Sequence, residues 1–168
     1  ADALMVTGET AIGKHPQKVI EVLGRVIKET ENSINYKNFY QENNQKKLNT
    51  SQAISHAACS VATEQQIDIL VTMTHSGSTA RMVSRYRPVA KIIAMTPFEK
   101  TCRQLLIVWG VNPVLVQKYN SADEIPEIAN ESLKKKGLLI RDQKYVLTGG
   151  VPVGIPGTTN YLSVLKAV

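Results

Sequence analysis

Short apolar runs alternate with segments of helical spacing along most of this chain. Ile67–Met73, Lys91–Met95, Asn112–Gln117, Tyr145–Thr148 and Tyr161–Val168 read as strands, and the first two are apolar enough to be covered on both faces. Between them, Ile54, Ala57, Ala58 and Val61 mark the inner face of a helix begun by Asn49 or Thr50. Ala80, Val83 and Tyr86 mark a helix that runs to about Arg87 and is stopped by Pro88. Cys102, Leu105, Leu106 and Val108 mark another, ending at Gly110, and a last helix ends at Lys136-Gly137. Thr96-Pro97-Phe98-Glu99 has the residues of a capping box, and Ser121-Ala122-Asp123-Glu124 offers a second, with Pro126 able to delay the helix start. Alternation with short connections from Thr50 to Thr148 demands a mostly parallel sheet, helices on both faces and right-handed crossovers. No helix separates the last two strands, so the final one is expected to be antiparallel, at or near an edge. The predicted fold class is an α/β three-layer sandwich with a mostly parallel five-stranded sheet.

The first third follows a different pattern. Ala3–Val6 reads as a short buried strand, and Pro16 opens a helix ending near Asn32. Its apolar stripe is wide: Ile20, Leu23, Ile27 and Ile34, flanked by Val19, Val22 and Val26. One strand and one helix cannot bury both their faces, so partners are expected upstream or in another copy of the chain. The chain opens on Ala1, inside an apolar run, as a piece of a longer polypeptide would. From Asn35 to Asn49 the periodicity fails, and Tyr36, Phe39 and Tyr40 stand among polar residues. This is read as a linker with a docking role for its aromatics.

Composition narrows the classes. The 168 residues, 43% apolar and 20% charged, are enough to bury a core. No apolar run approaches a membrane span, and no secretory pattern opens the chain. Cys59 and Cys102 sit in apolar helical contexts and read as buried free thiols, which points to the cytoplasm. His15, His56 and His75 show no paired Cys/His spacing, which argues against a structural zinc site. The formal charge of +6 is scattered, with Lys134-Lys135-Lys136 at a helix end and no interleaved aromatics. Nucleic acid is therefore not the expected partner; anionic metabolites are.

The densest chemistry lies in Thr74-His75-Ser76-Gly77-Ser78-Thr79, between an apolar strand and a helix start. Hydroxyls and unpaired amides gather there around one point, and the helix dipole adds partial positive charge. A dianionic phosphate suits such a place, Gly77 allows close backbone approach, and Arg81 or Arg85 could add charge. The competing reading has Ser76 merely capping the helix. So many small hydroxyl residues in one turn favour the anion.

Two stretches resemble a known family. Met5-Val6-Thr7-Gly8-Glu9-Thr10-Ala11-Ile12-Gly13-Lys14-His15-Pro16 is similar to the pyruvate kinase segment that forms the eighth barrel strand and its loop. Ser76-Gly77-Ser78-Thr79-Ala80-Arg81 through Tyr86-Arg87-Pro88, with Gly157-Thr158-Thr159-Asn160, resembles that family's C-terminal domain. The resemblance covers essentially the whole chain, in order. It implies that 1–34 are a remnant of barrel strand 8 and helix 8, 35–49 a linker, and 50–168 the effector-binding domain.

It further implies phosphoryl transfer from phosphoenolpyruvate to ADP on a TIM barrel, dependent on magnesium and often potassium, usually in a tetramer. Thr7 and Glu9 would lie at the active end of the barrel. They either contribute to catalysis in the full enzyme or simply organise the turn before the helix. The family's metal-binding carboxylates and catalytic lysine come from earlier strands, so this chain alone is expected to be inactive, with no metal or cofactor of its own. The family's effector phosphate is held by the loop matching Thr74, His75, Ser76, Gly77, Ser78 and Thr79, with Gly157 and Thr158 in the facing loop. His75 replaces the usual hydroxyl; it either pairs with phosphate or is a solvated loop histidine. The Val151–Thr159 loop is read as a lid or as a plain connection.

Fructose 1,6-bisphosphate would need a Trp and an Arg in the region Asn120 to Lys134, which has neither. The expected effector is a monophosphate: AMP, ribose 5-phosphate or a hexose 6-phosphate. The other expected partners are the remaining barrel portion and further copies of the chain. Two other classes compete: a stand-alone phosphometabolite-binding module, and a sugar-phosphate isomerase, for which only His75 could be the base.

Overall fold

The five predicted strands pair into one sheet in a computed structural model that describes residues 2–34, 47–155 and 157–167. They are β1 (Ile69–Met73), β2 (Lys91–Thr96), β3 (Val111–Leu115), β4 (Lys144–Gly150) and β5 (Thr159–Lys166), in the order β3-β2-β1-β4-β5. β1 pairs parallel with β2 and with β4, and β3 pairs parallel with β2. Only β4–β5 is antiparallel, with a register irregularity at Gly149/Gly150. β1 is the central strand, and all five of its residues are buried, which is why its sequence is apolar on both faces rather than alternating.

Helices cover both faces. Helix α3 (Thr50–Glu64), α4 (Ser78–Arg85) and α5 (Glu99–Leu105) pack through Ala58, Ala80 and Leu105 on the face carrying Leu70, Ile92 and Val146. Helix α6 (Ile125–Lys135) covers the other face through Ile128 and Leu133, against Val71, Ile93 and Leu147. Each fully buried aliphatic side chain here contributes roughly 1.5–3 kcal/mol relative to exposure. The predicted three-layer sandwich, with its antiparallel last strand, is the observed one.

Local details depart from the reading. The inner stripe of α3 is Ser51, Ser55, Ala58, Cys59 and Ala62; Ile54, Ala57 and Val61 are only half-buried. Small side chains let this helix approach β4 and β5, so size rather than hydrophobicity chose its inward face. Its start matches: Asn49 and Gln52 form a reciprocal capping box. The box at Thr96 does not form. Thr96 Oγ1 accepts from Phe98 N–H at 3.3 Å and the helix begins only at Glu99. That helix also stops early, leaving Leu106 68% exposed. The second box forms by half, with Glu124 Oε1 accepting from Ser121 N–H at 3.0 Å, and α6 starts at Ile125, just before Pro126.

In the first third, α1 (Gly8–Ala11) precedes α2 (Pro16–Ser33). Residues 3–6 form no strand, contrary to the reading, and Met5 is 86% exposed. A strand needs a neighbour for its amides and carbonyls, and none stands beside it among the described residues. α2 forms as predicted, but Ile20, Val26 and Ile27 lie exposed, and none of its residues is buried. Most of the predicted linker, Tyr36, Phe39 and Tyr40 included, lies outside the described residues. No described helix is long and apolar enough to cross a membrane.

Candidate functional site

Strand order decides where a crevice opens. The chain moves from β1 outward to β2 and β3, then returns to β4 on the other side of β1. The carboxyl ends of β1 and β4 thus flank the point where chain order reverses, where open α/β sheets leave a binding crevice. An open pocket lies there, between the turn after β1 and the loop joining β4 to β5.

The turn after β1 is built around Thr74. Its N–H extends the ladder to Met95 O at 3.0 Å, and its buried Oγ1 accepts from Gly77 N–H at 2.9 Å. Gly77 is left-handed, with φ 83°, and a Cβ there would lie 2.6 Å from Arg81 Nη1 and 3.0 Å from Leu105 Cδ2. A glycine is what lets the chain turn this tightly into α4. No side chain caps α4, so the amides of its first turn lack partners within the helix. Ser76 is therefore not a cap; its Oγ donates to Ser78 Oγ at 3.3 Å. Thr79 Oγ1 and Thr159 Oγ1 share a hydrogen at 2.7 Å, both buried, joining the helix start to the start of β5.

The facing wall is a loop held at several points. Asn160 brackets Val151, accepting from its N–H at 2.8 Å and donating to its carbonyl at 2.6 Å. Thr158 Oγ1 donates to Ile155 O at 2.8 Å, and Ser51 Oγ on α3 donates to Gly157 O at 2.8 Å. Gly150 admits the loop's return, since a Cβ on it would sit 2.7 Å from Thr158 O.

His75 lies on the cavity wall with its ring 5.5 Å from those of both Phe98 and Tyr119, and its carbonyl accepts from Thr101 Oγ1 at 2.8 Å. This is a half-buried histidine, not a solvated one. Desolvation lowers its pKa, which favours the neutral imidazole. Burial pushes the Tyr119 hydroxyl up to about 12, keeping it a neutral donor. Among the described residues that line the cavity, none is lysine or arginine. Arg81 and Arg85, read as extra charge for the anion, line a separate groove instead, and Arg81 Nη1 donates to Ser76 O at 3.0 Å. Any anion held here meets hydroxyls, amides and a helix end, not a fixed cation.

The lowered His75 pKa has a defined sign. The folded state holds this proton less tightly than the unfolded state, so the contribution is fully present above the ordinary value near 6.5 and is lost as pH falls through the folded pKa. Urea midpoints are expected to fall between pH 7 and pH 5, and His75→Asn is expected to flatten that part of the slope. An equal slope in the variant would remove His75 from the account.

The structure brings Thr74, His75, Ser76, Ser78, Thr79, Gly157 and Thr158 to one cavity, with Gly77 at the turn beneath it. Tyr119 and Gly150 also line it, though the sequence reading had not singled them out, and so does Thr159 from the facing loop. Thr7 and Glu9 stand apart, exposed on the N-terminal segment. Glu9 accepts from Thr7 N–H at 3.0 Å and from Thr7 Oγ1 at 3.2 Å, a turn-organising arrangement, and the first bond leads in lowering its pKa. Among the described residues no group of three or more His, Cys, Asp or Glu could hold a metal ion.

Residues 52–165 match the family described as pyruvate kinase, alpha/beta domain. The chain is 40% identical over 165 residues to a pyruvate kinase of Clostridium acetobutylicum, covering 97% of this chain and 35% of that protein. It is 41% identical over 166 residues to one of Thermotoga maritima, covering 99% and 35%. A Staphylococcus epidermidis pyruvate kinase is 36% identical over 165 residues, covering 97% and 28%. The chain thus spans about a third of the length of these relatives.

Proposed function

Because the chain belongs to the pyruvate kinase family and carries its C-terminal alpha/beta domain, we propose that the crevice between β1 and β4 is an allosteric site for a phosphorylated metabolite. The observation that carries this reading is the convergence of uncapped α4 amides and the hydroxyls of Ser76, Ser78, Thr79 and Thr158 on one open cavity. Thr74 and Gly77 shape the turn that presents them. A described lining of hydroxyls without lysine or arginine favours one phosphate over two, hence AMP or a sugar monophosphate rather than a bisphosphate.

In the whole protein the reaction is phosphoryl transfer from phosphoenolpyruvate to ADP, giving pyruvate and ATP in glycolysis, in the cytoplasm. Residues 1–34 serve there as the eighth barrel strand and helix, and the bare face of α2 is covered by the remaining barrel or by another copy of the chain. Thr7 and Glu9 contribute at the mouth of that barrel. Magnesium and potassium are assigned to the rest of the enzyme; among the described residues no group of three or more His, Cys, Asp or Glu is placed to hold a metal ion. Alone, the chain is catalytically silent.

Calorimetric titration with AMP, ribose 5-phosphate and glucose 6-phosphate tests the site. Saturable one-to-one binding of at least one, weakened in a Thr79→Val variant, is expected. No heat with any of the three would sink the proposal. A pyruvate kinase assay of the isolated chain is expected to give only background, and turnover above it would overturn the assignment of catalysis to the rest of the enzyme.

A further inference from the structure

Helix α4 has the candidate cavity at one end and a joint at the other. Its eight residues span about 12 Å at 1.5 Å per residue. Ser84, near the far end and buried, donates from Oγ to Trp109 O at 2.7 Å. Arg87, just beyond the helix, lays its guanidinium carbon 4.6 Å from the centroid of the Trp109 ring and pairs with Asp2. The indole N–H of Trp109 donates to Glu31 Oε1 on α2 at 2.7 Å. One tryptophan, the only one in the chain, therefore meets the end of α4 and, through Glu31, helix α2, while the Arg87 laid on its ring reaches Asp2.

This joint is held against a cost. Arg87 stands at φ 46°, a left-handed conformation that L residues rarely adopt, and its buried Nη1 has no hydrogen-bond partner. Strained features of this kind gather at ligand clamps and switch regions. At the near end, Arg81 grips Ser76 O from within the same helix, so the loop and α4 move together.

We propose that Trp109 is a positioning residue that couples the cavity to the N-terminal segment. Anion binding at Ser76–Thr79 draws on the amides of α4, the helix shifts, Ser84 carries Trp109 with it, and the bond to Glu31 changes. The coupling rests on the effector reading given above, but the joint can be tested without it.

The test combines calorimetry with tryptophan emission, using AMP and ribose 5-phosphate as probes. The expected result is an emission shift that saturates at the calorimetric midpoint. In Ser84→Ala the heat should stay within about twofold while most of the emission shift disappears. Binding without any emission change overturns the coupling and leaves the effector site standing. No binding of either probe overturns the coupling together with the effector reading. Limited proteolysis without ligand examines the joint itself. Trp109→Phe keeps a ring beneath Arg87 but loses the indole donor, and should speed cleavage within 16–33 several-fold. Glu31→Gln, which still accepts from the indole, should cleave like the parent chain, whereas Glu31→Ala should follow Trp109→Phe. Equal cleavage in all four proteins overturns the joint.

Discussion

Ser78→Glu is expected to lower affinity for a phosphorylated effector by at least about 100-fold while leaving the chain folded. Ser78 opens α4 and lines the cavity, so the new carboxylate would stand where the phosphate charge belongs. Two like charges about 4 Å apart repel by roughly 4 kcal/mol at an effective dielectric constant near 20, and about 1.4 kcal/mol is tenfold in affinity. The estimate of 100-fold allows for screening at this open site. Folding survives because an acidic residue in the first turn of a helix is favoured by the helix dipole. Ser78→Ala removes only one hydrogen bond to a charged group, a loss of about 1.5–3 kcal/mol. Calorimetry on the three proteins, with circular dichroism as the folding control, gives the comparison. Parent-like affinity in the glutamate variant would move the site elsewhere.

The largest stability effect is expected from Leu70→Ala. Leu70 is fully buried in the central strand, lies between Ile92 and Val146 in register, and belongs to the cluster that holds α3, α4 and α5 to the sheet. Truncation there should cost about 2–5 kcal/mol, read as a lower urea midpoint at an unchanged slope. Leu106→Ala, at an exposed position, should stay within about 0.5 kcal/mol. Comparable losses at both positions would contradict the burial of the sheet centre.

The contrast between those leucines shows how far the sequence could be read. Leu70 sits in a run apolar at consecutive positions, and only a strand sandwiched by helices explains that, so sheet, layers and crevice follow together. Leu106 carried the same hydrophobicity at a plausible helical spacing, but the helix had already ended, and periodicity alone does not locate an end. In α3 the inward positions are serine, alanine and cysteine, which hydropathy ranks below Ile54 and Val61. Close approach to the sheet selected small side chains, a distance effect invisible in a one-dimensional pattern.

The site divides in the same way. Ser76 to Thr79 were legible because hydroxyls and a glycine were concentrated between a strand and a helix. Tyr119 was not, since it follows β3 in an irregular stretch and reaches His75 only through tertiary packing. Thr159 was seen only as the end of a loop, and its bond to Thr79 spans 80 residues. The misplaced role of Arg81 has a local cause: its side chain turns back to the Ser76 carbonyl, so it braces the turn rather than meeting the cavity.

The bracket that Asn160 places on Val151 has one more consequence. With the neck fastened by a side-chain amide, the stretch from 152 to 158 can be lengthened, shortened or rewritten without disturbing the pairing of β4 with β5. A scaffold clasped in this way can trade one guest molecule for another through loop changes alone, while its core stays as it was.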